Sequence, residues 1–343
     1  ECVIRVGMPR AWLVSLLAMG IGCDPGGGGG GGGGGSLWRD GDFPGTPGDP
    51  DDYEDLFAFD EVSKCIPDNA LDLGLSTEIR IFRSESVSES QMRRHLAGLA
   101  RFYSHYGIDL FTLYEPIEIP IDSIMTLDED EVVDYVERET GVDIRTTDEE
   151  DVSAAKRAEV EEAILEAIFA DGRAFLSVYA EPRRGVVNVV LVSAIIGGDI
   201  PDELRELEGL AGLGLSPELL ASFPDDDELA ELYEMLGLDE DFTPSAFVGA
   251  DTVDRFLERP DIIIAHEVGH AYGLIHMEEY GNLMLQGETS CDAELSSSQL
   301  DEVADATERV SLVLASAEYH SLESRLAEVR AAIVEVSHRW LEP

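Results

Sequence analysis

Residues 266–276 read His266-Glu-Val-Gly-His-Ala-Tyr-Gly-Leu-Ile-His276, and these positions decide how the whole chain is read. On a helix, residues four apart share a face, so the His266 and His270 imidazoles stand one turn apart. That spacing suits two ligands of a tetrahedral Zn²⁺ site, with Glu267 beside the first ligand and placed to act as a base on water. Gly273 follows His270 by three residues, where a helix commonly ends in a left-handed residue that only glycine adopts cheaply. The chain can then turn back and bring His276 to the same metal. Three histidines leave one tetrahedral position open, as a catalytic zinc requires and a structural zinc does not. Ile262, Ile263, Ile264, Ala265 and Val268 make this a buried helix. A buried helix with merely packed histidines is the competing reading, but three histidines and a carboxylate would be costly there without a partner.

The pattern resembles the signature H-E-x-x-H-x-x-G-x-x-H of the metzincin clan of zinc metallopeptidases, complete here. Met284 follows His276 by eight residues, in Gly281-Asn282-Leu283-Met284, and matches the clan's Met-turn at the interval typical of matrixins. The resemblance implies that Met284 is a hydrophobic floor beneath the metal. Astacins and serralysins carry a tyrosine two residues after that methionine, where this chain has Gln286. Archaemetzincins need a second, cysteine-based zinc site that this chain cannot supply. The likeness is therefore to a matrixin-like bacterial member, and its motifs cover residues 261–286. It implies an α+β fold (an α/β sandwich): a twisted mixed sheet, an active-site helix, a small C-terminal subdomain, helical insertions and a C-terminal helix. The implied activity is that of a zinc-dependent endopeptidase acting on a protein or peptide. His266, His270 and His276 would hold one zinc, and Glu267 would be the general base for a zinc-activated water. The alternative is a non-catalytic, zinc-containing cell-surface binding lipoprotein, which would have no need of Glu267.

Among 343 residues, 72 are acidic and 23 basic, for a net charge of −49. Phosphate backbones and anionic lipid headgroups would be repelled, which excludes nucleic acid as a partner and charge-driven membrane docking. The 44% hydrophobic content can fill one sizeable core. Acidic clusters such as Asp225-Asp226-Asp227 could take Ca²⁺, but no spaced calcium loop with its glycine is visible, so calcium stays unassigned. Residues 1–22 read as a signal peptide, with a positive start at Met8-Pro-Arg10 and an apolar stretch from Ala11 to Ile21 too short to span a bilayer. Gly20-Ile21-Gly22-Cys23 looks like a bacterial lipoprotein cleavage site with Cys23 as the lipidated residue; ordinary signal-peptidase cleavage is the alternative. Residues 23–72, with an unbroken glycine run from Gly26 to Gly35, read as a flexible tether. The expected location is the bacterial cell envelope (lipid-anchored, periplasmic or surface) or, without the lipid, secretion. Cys65 and Cys291 then remain as a candidate disulfide. Lys64-Cys-Ile-Pro-Asp68 also loosely resembles the matrixin cysteine switch, so both readings of Cys65 stand.

Residues 73–305 are expected to form the peptidase domain. Thr77–Arg83 alternates as a half-buried strand, and Ser88 caps a helix running to Tyr106. Ile108–Ile121 is extended, broken by Pro116 and Pro120. Residues 128–140 and 148–170 read as acidic amphipathic helices. Ala174–Ala180 and Val186–Ile196 read as strands, the second apolar throughout and central. Residues 199–245 read as an acidic helical insertion, Thr243–Val248 as a last strand, and Pro260 as the start of the zinc helix. Ser296-Ser-Ser-Gln299 caps a further helix, and residues 306–343 continue as an amphipathic C-terminal helix with a seam from Tyr319 to Trp340. His95, His105, His320 and His338 lie outside any metal spacing.

Overall fold

The computed structural model describes residues 50–57, 73–147, 153–180, 185–198, 210–222, 233, 235–238, 242–256, 260–285 and 293–313. Strand β1 (Leu75–Ser84) leads to helix α1 (Glu89–Ser104), which starts on a capping box: Ser88 accepts from the Gln91 N–H, and Gln91 reaches back to the Ser88 N–H. Strands β2 (Ile108–Phe111) and β3 (Ile117–Ile119) then pair with successive parts of β1. After β4 (Met125–Thr126) come α2 (Glu129–Thr140), α3 (Ala154–Ile168) and α4 (Ala170–Tyr179). Next are β5 (Val186–Val192), β6 (Ile196–Gly197), β7 (Gly212–Leu215) and α5 (Pro217–Ser222). β8 (Ser245–Gly249), α6 (Ala250–Phe256), α7 (Pro260–Ala271) and α8 (Ser297–Val313) complete the order.

The main sheet runs β2-β1-β5-β8-β7, parallel throughout except for β7, which is antiparallel to β8 at the edge. Alternate residues sort to its two faces. Ile79, Ile81, Val189, Leu191, Ala246 and Val248 meet α1, α7 and α8 on one side. Phe82, Val190, Val192 and Phe247 meet α2, α3 and α4 on the other. The arrangement is the expected α+β class with a mixed sheet. β5 lies at the centre and is buried at every position, as its unbroken apolar run requires.

Three readings of the sequence are corrected. Ala174–Ala180 is not a strand: it lies at the end of α4, where Phe175, Leu176 and Tyr179 fall on one helical face. Phe175 meets Phe82 edge-to-face and Tyr179 meets it at a tilt, their ring centroids 5.0 and 4.6 Å from it. Strand β1 is buried on both faces rather than one, and its polar positions Glu78 and Arg80 are buried together, 3.4 Å apart. Residues 199–245 are not helical throughout, because β7 lies within them. α8 runs unbroken across residue 306, and residues 314–343 are outside the described set. Among the described residues, no helix is long and apolar enough to cross a membrane.

Candidate metal centre

Helix α7 packs beneath β7 and β8 and against α1, so it is buried almost all round. Tyr103 of α1 donates to the Ala265 carbonyl at 2.9 Å and fixes the helix sideways. The helix stops as the sequence requires. Gly273 has φ +89° and donates to His270 O, while Leu274 donates to Gly269 O, the paired bonds of a Schellman end. That reversal carries the chain back over the last turn and delivers His276.

The three histidines converge. Their Nε2 atoms form a triangle with edges of 3.2 Å (His266–His276), 3.1 Å (His266–His270) and 3.1 Å (His270–His276). His266 Nδ1 lies 2.7 Å from the Leu283 carbonyl and His270 Nδ1 2.7 Å from the Leu274 carbonyl. A carbonyl only accepts, so each Nδ1 carries the proton and each Nε2 lone pair points inward. Burial holds the His266 imidazole down to about 4, opposed by the Leu283 carbonyl and aided by His276. Burial first, then His266 and His276, pushes His270 well below its ordinary value, and burial lowers His276. Neutral imidazoles with inward lone pairs are the metal-binding form. Four ligands at about 2.0–2.1 Å around tetrahedral zinc stand about 3.3 Å apart. The observed triangle meets that spacing, so these residues fit a metal ion. Among the described residues, they are the one such cluster of His, Cys, Asp or Glu side chains.

Glu267 is buried at 5% exposure. Burial pushes its carboxyl well above the ordinary value, opposed by a hydrogen bond from the Gly214 N–H of β7. A carboxylate that gains a proton readily is suited to taking one from water and passing it on.

Comparison with known proteins adds little to this geometry. No family model matches the chain, and no curated protein matches it. Among solved structures, it is similar to metalloproteinase-II from Bacteroides fragilis, at 11% identity and a TM-score of 0.32. That similarity covers 70% of this chain and 55% of the other, so the chain spans about half of its neighbour's length.

Met284 is fully buried beneath α7; a Cβ placed on Gly269 would lie 2.6 Å from its sulfur. Sequence reading missed what holds it there. Asn282 Oδ1 accepts from the Met284 N–H at 2.9 Å, and the Asn282 and Gln299 amides donate to each other at 2.8 and 3.2 Å. Gln299 also closes the expected cap of α8 with Ser296. One amide pair thus ties the methionine turn to α8. The other missed residues are Gly212 and Gly214, whose missing side chains let β7 lie directly on Glu267 and His270. The Gly-x-Gly spacing was visible, but a strand was not expected there. His95 is buried in α1 and His105 closes that helix, and neither joins the histidine cluster. Cys23, Cys65, Cys291, Gln286, His320, His338 and Asp225-Asp226-Asp227 lie outside the described residues.

Proposed function

We propose that the protein is a zinc-dependent endopeptidase of matrixin-like type, exported and held at the cell envelope by a lipid on Cys23. The supporting observation is the triangle of inward Nε2 atoms, with Glu267 next to His266 on the same helix and its buried carboxylate packed under the edge strand β7. Three neutral imidazoles favour zinc over the hard, oxygen-seeking cations. When bound, zinc would supply Lewis-acid polarisation of the scissile carbonyl and acidify a water.

The chain's own residues divide the remaining work. Leu283 and Leu274 carbonyls hold the His266 and His270 rings in the ligating tautomer. Glu267 takes the proton of the attacking water and delivers it to the leaving amine. β7 presents the edge along which an extended peptide would lie, since no described strand pairs with its far side. Gly249 donates to Ala211 O, which fixes the alternation of the β7–β8 ladder. The main-chain groups of Gly212 and the carbonyl of Gly214 therefore face the free edge, while the Gly214 N–H is given to Glu267. A peptide added there would run past the metal triangle with its backbone paired and its scissile bond in reach of Glu267. Residues 23–72 would act as the tether, and −49 of net charge would keep the exposed domain soluble.

Glu267→Ala is expected to bind zinc as the parent does and to cleave no member of a peptide library. The library is profiled by product N-termini with and without chelator. Proteolysis retained by the variant would sink the assignment of the base. A parent protein that binds zinc but cleaves nothing would leave the binding-lipoprotein alternative instead.

A further inference from the structure

Two of the four residues of β7 are glycines, at alternate positions facing α7. Glycine weakens a strand, and neither residue has the positive φ that would demand one. What demands glycine is proximity. A Cβ on Gly212 would lie 2.4 Å from Glu267 Cγ, 2.4 Å from Oε1 and 2.5 Å from Cδ, so its three nearest atoms all belong to that side chain. A Cβ on Gly214 would lie 2.4 Å from His270 Cβ and 2.5 Å from the Glu267 main-chain oxygen. Carbon atoms in contact normally stand about 3.5–4.0 Å apart. Neither methyl fits without displacing what it meets. The two positions thus guard different things: Gly212 the carboxylate, Gly214 the backbone of α7 and the root of a metal ligand. The Gly214 N–H also donates to the Glu267 carboxylate.

We propose that Gly212 and Gly214 are positioning residues that hold Glu267 from the substrate edge: the empty face at 212 gives the carboxylate its place, and the amide at 214 fixes its direction. The same strand that would receive the peptide then aims the base at it. A shift of the peptide edge relative to the metal would carry the base along. The kinetic consequence rests on the endopeptidase reading; the packing relation between Gly212 and Glu267 does not.

A double-mutant cycle on the full chain separates the two. In metal-free protein, Gly212→Ala should lower Tm in the parent background and leave it unchanged in a Glu267→Ala background, where the obstructing carboxylate is gone. Gly214→Ala should lower Tm in both backgrounds, because it meets Cβ and main-chain atoms that Glu267→Ala retains. In zinc-loaded protein, Gly212→Ala should lose on the order of a hundredfold in kcat, the cost of a small misplacement. Its KM and its zinc affinity by chelator competition should stay near the parent values. Gly214→Ala should weaken zinc binding itself. If the Gly212→Ala single variant fails to fold and the double variant folds, the result supports the same relation. Equal loss of Tm for Gly212→Ala in both backgrounds would overturn the proposal, as would a kcat equal to the parent's. A parent without turnover would dispose of the endopeptidase reading and leave the Tm cycle to decide the packing relation.

Discussion

Glu267 is buried, and this gives its carboxyl a measurable signature in the metal-free protein. Its folded pKa lies well above the ordinary value near 4.5, chiefly through burial. The neutral form is the one the fold prefers. Its contribution is intact below about 4.5 and is lost as pH rises through the folded value. Glutamine keeps the shape and the Gly214 acceptor but cannot ionise. The Tm of metal-free Glu267→Gln should therefore pull progressively above that of the parent as pH rises from about 4.5, in thermal melts run side by side. A gap that stays flat or narrows with pH would show that the carboxyl is solvated. At this scale His266, Glu267, His270, Gly273 and His276 were legible in the sequence, because helical periodicity and one left-handed turn fix their relative places. Gly212, Gly214 and Asn282 were not. Each acts on a partner far along the chain, and no local pattern names that partner.

Elements were read well where local chemistry and tertiary packing agree, as at the Ser88 and Ser296 caps and in β5. α4 was misread because an apolar run of aromatic and β-branched residues fits a strand and a buried helix alike. Its packing against Phe82 and Phe247 decides the matter. β7 was missed because its strand signal is diluted by the glycines that the site requires. The join between the methionine turn and α8 rests on Asn282 and can be cut by one substitution. Asn282→Ala removes the acceptor of the Met284 N–H and leaves the buried Gln299 amide without this partner. A loss of roughly 1–3 kcal/mol is expected in denaturant unfolding. The Leu283 carbonyl that orients His266 lies next to Asn282, so zinc affinity should fall in the same variant. Asn282→Asp, which keeps the acceptor, should recover part of both. Unchanged zinc affinity in Asn282→Ala would show that the turn holds its shape without this amide pair.

Across the whole molecule, the three histidines that would hold a metal come from parts of the fold that share one hydrophobic core. α7 supplies two, and the returning loop supplies the third. The carbonyl behind His266 comes from the methionine turn, which is tied to α8. A metal that binds only this folded arrangement should stabilise all of it together. At a free zinc concentration one hundred times Kd, that linkage is worth about 2.7 kcal/mol, or roughly 5–10 °C in Tm for a domain of a few hundred residues. Chelator should lower Tm by that order, zinc should restore it, and magnesium should not, since its preference is for oxygen ligands. His270→Ala should be insensitive to both chelator and zinc. With 72 acidic residues available, a non-specific cation effect is the main rival, and it predicts that magnesium protects as well as zinc. A melt in which the two ions act alike, or in which His270→Ala keeps the zinc response, would move the metal away from the histidine triangle and onto the acidic surface.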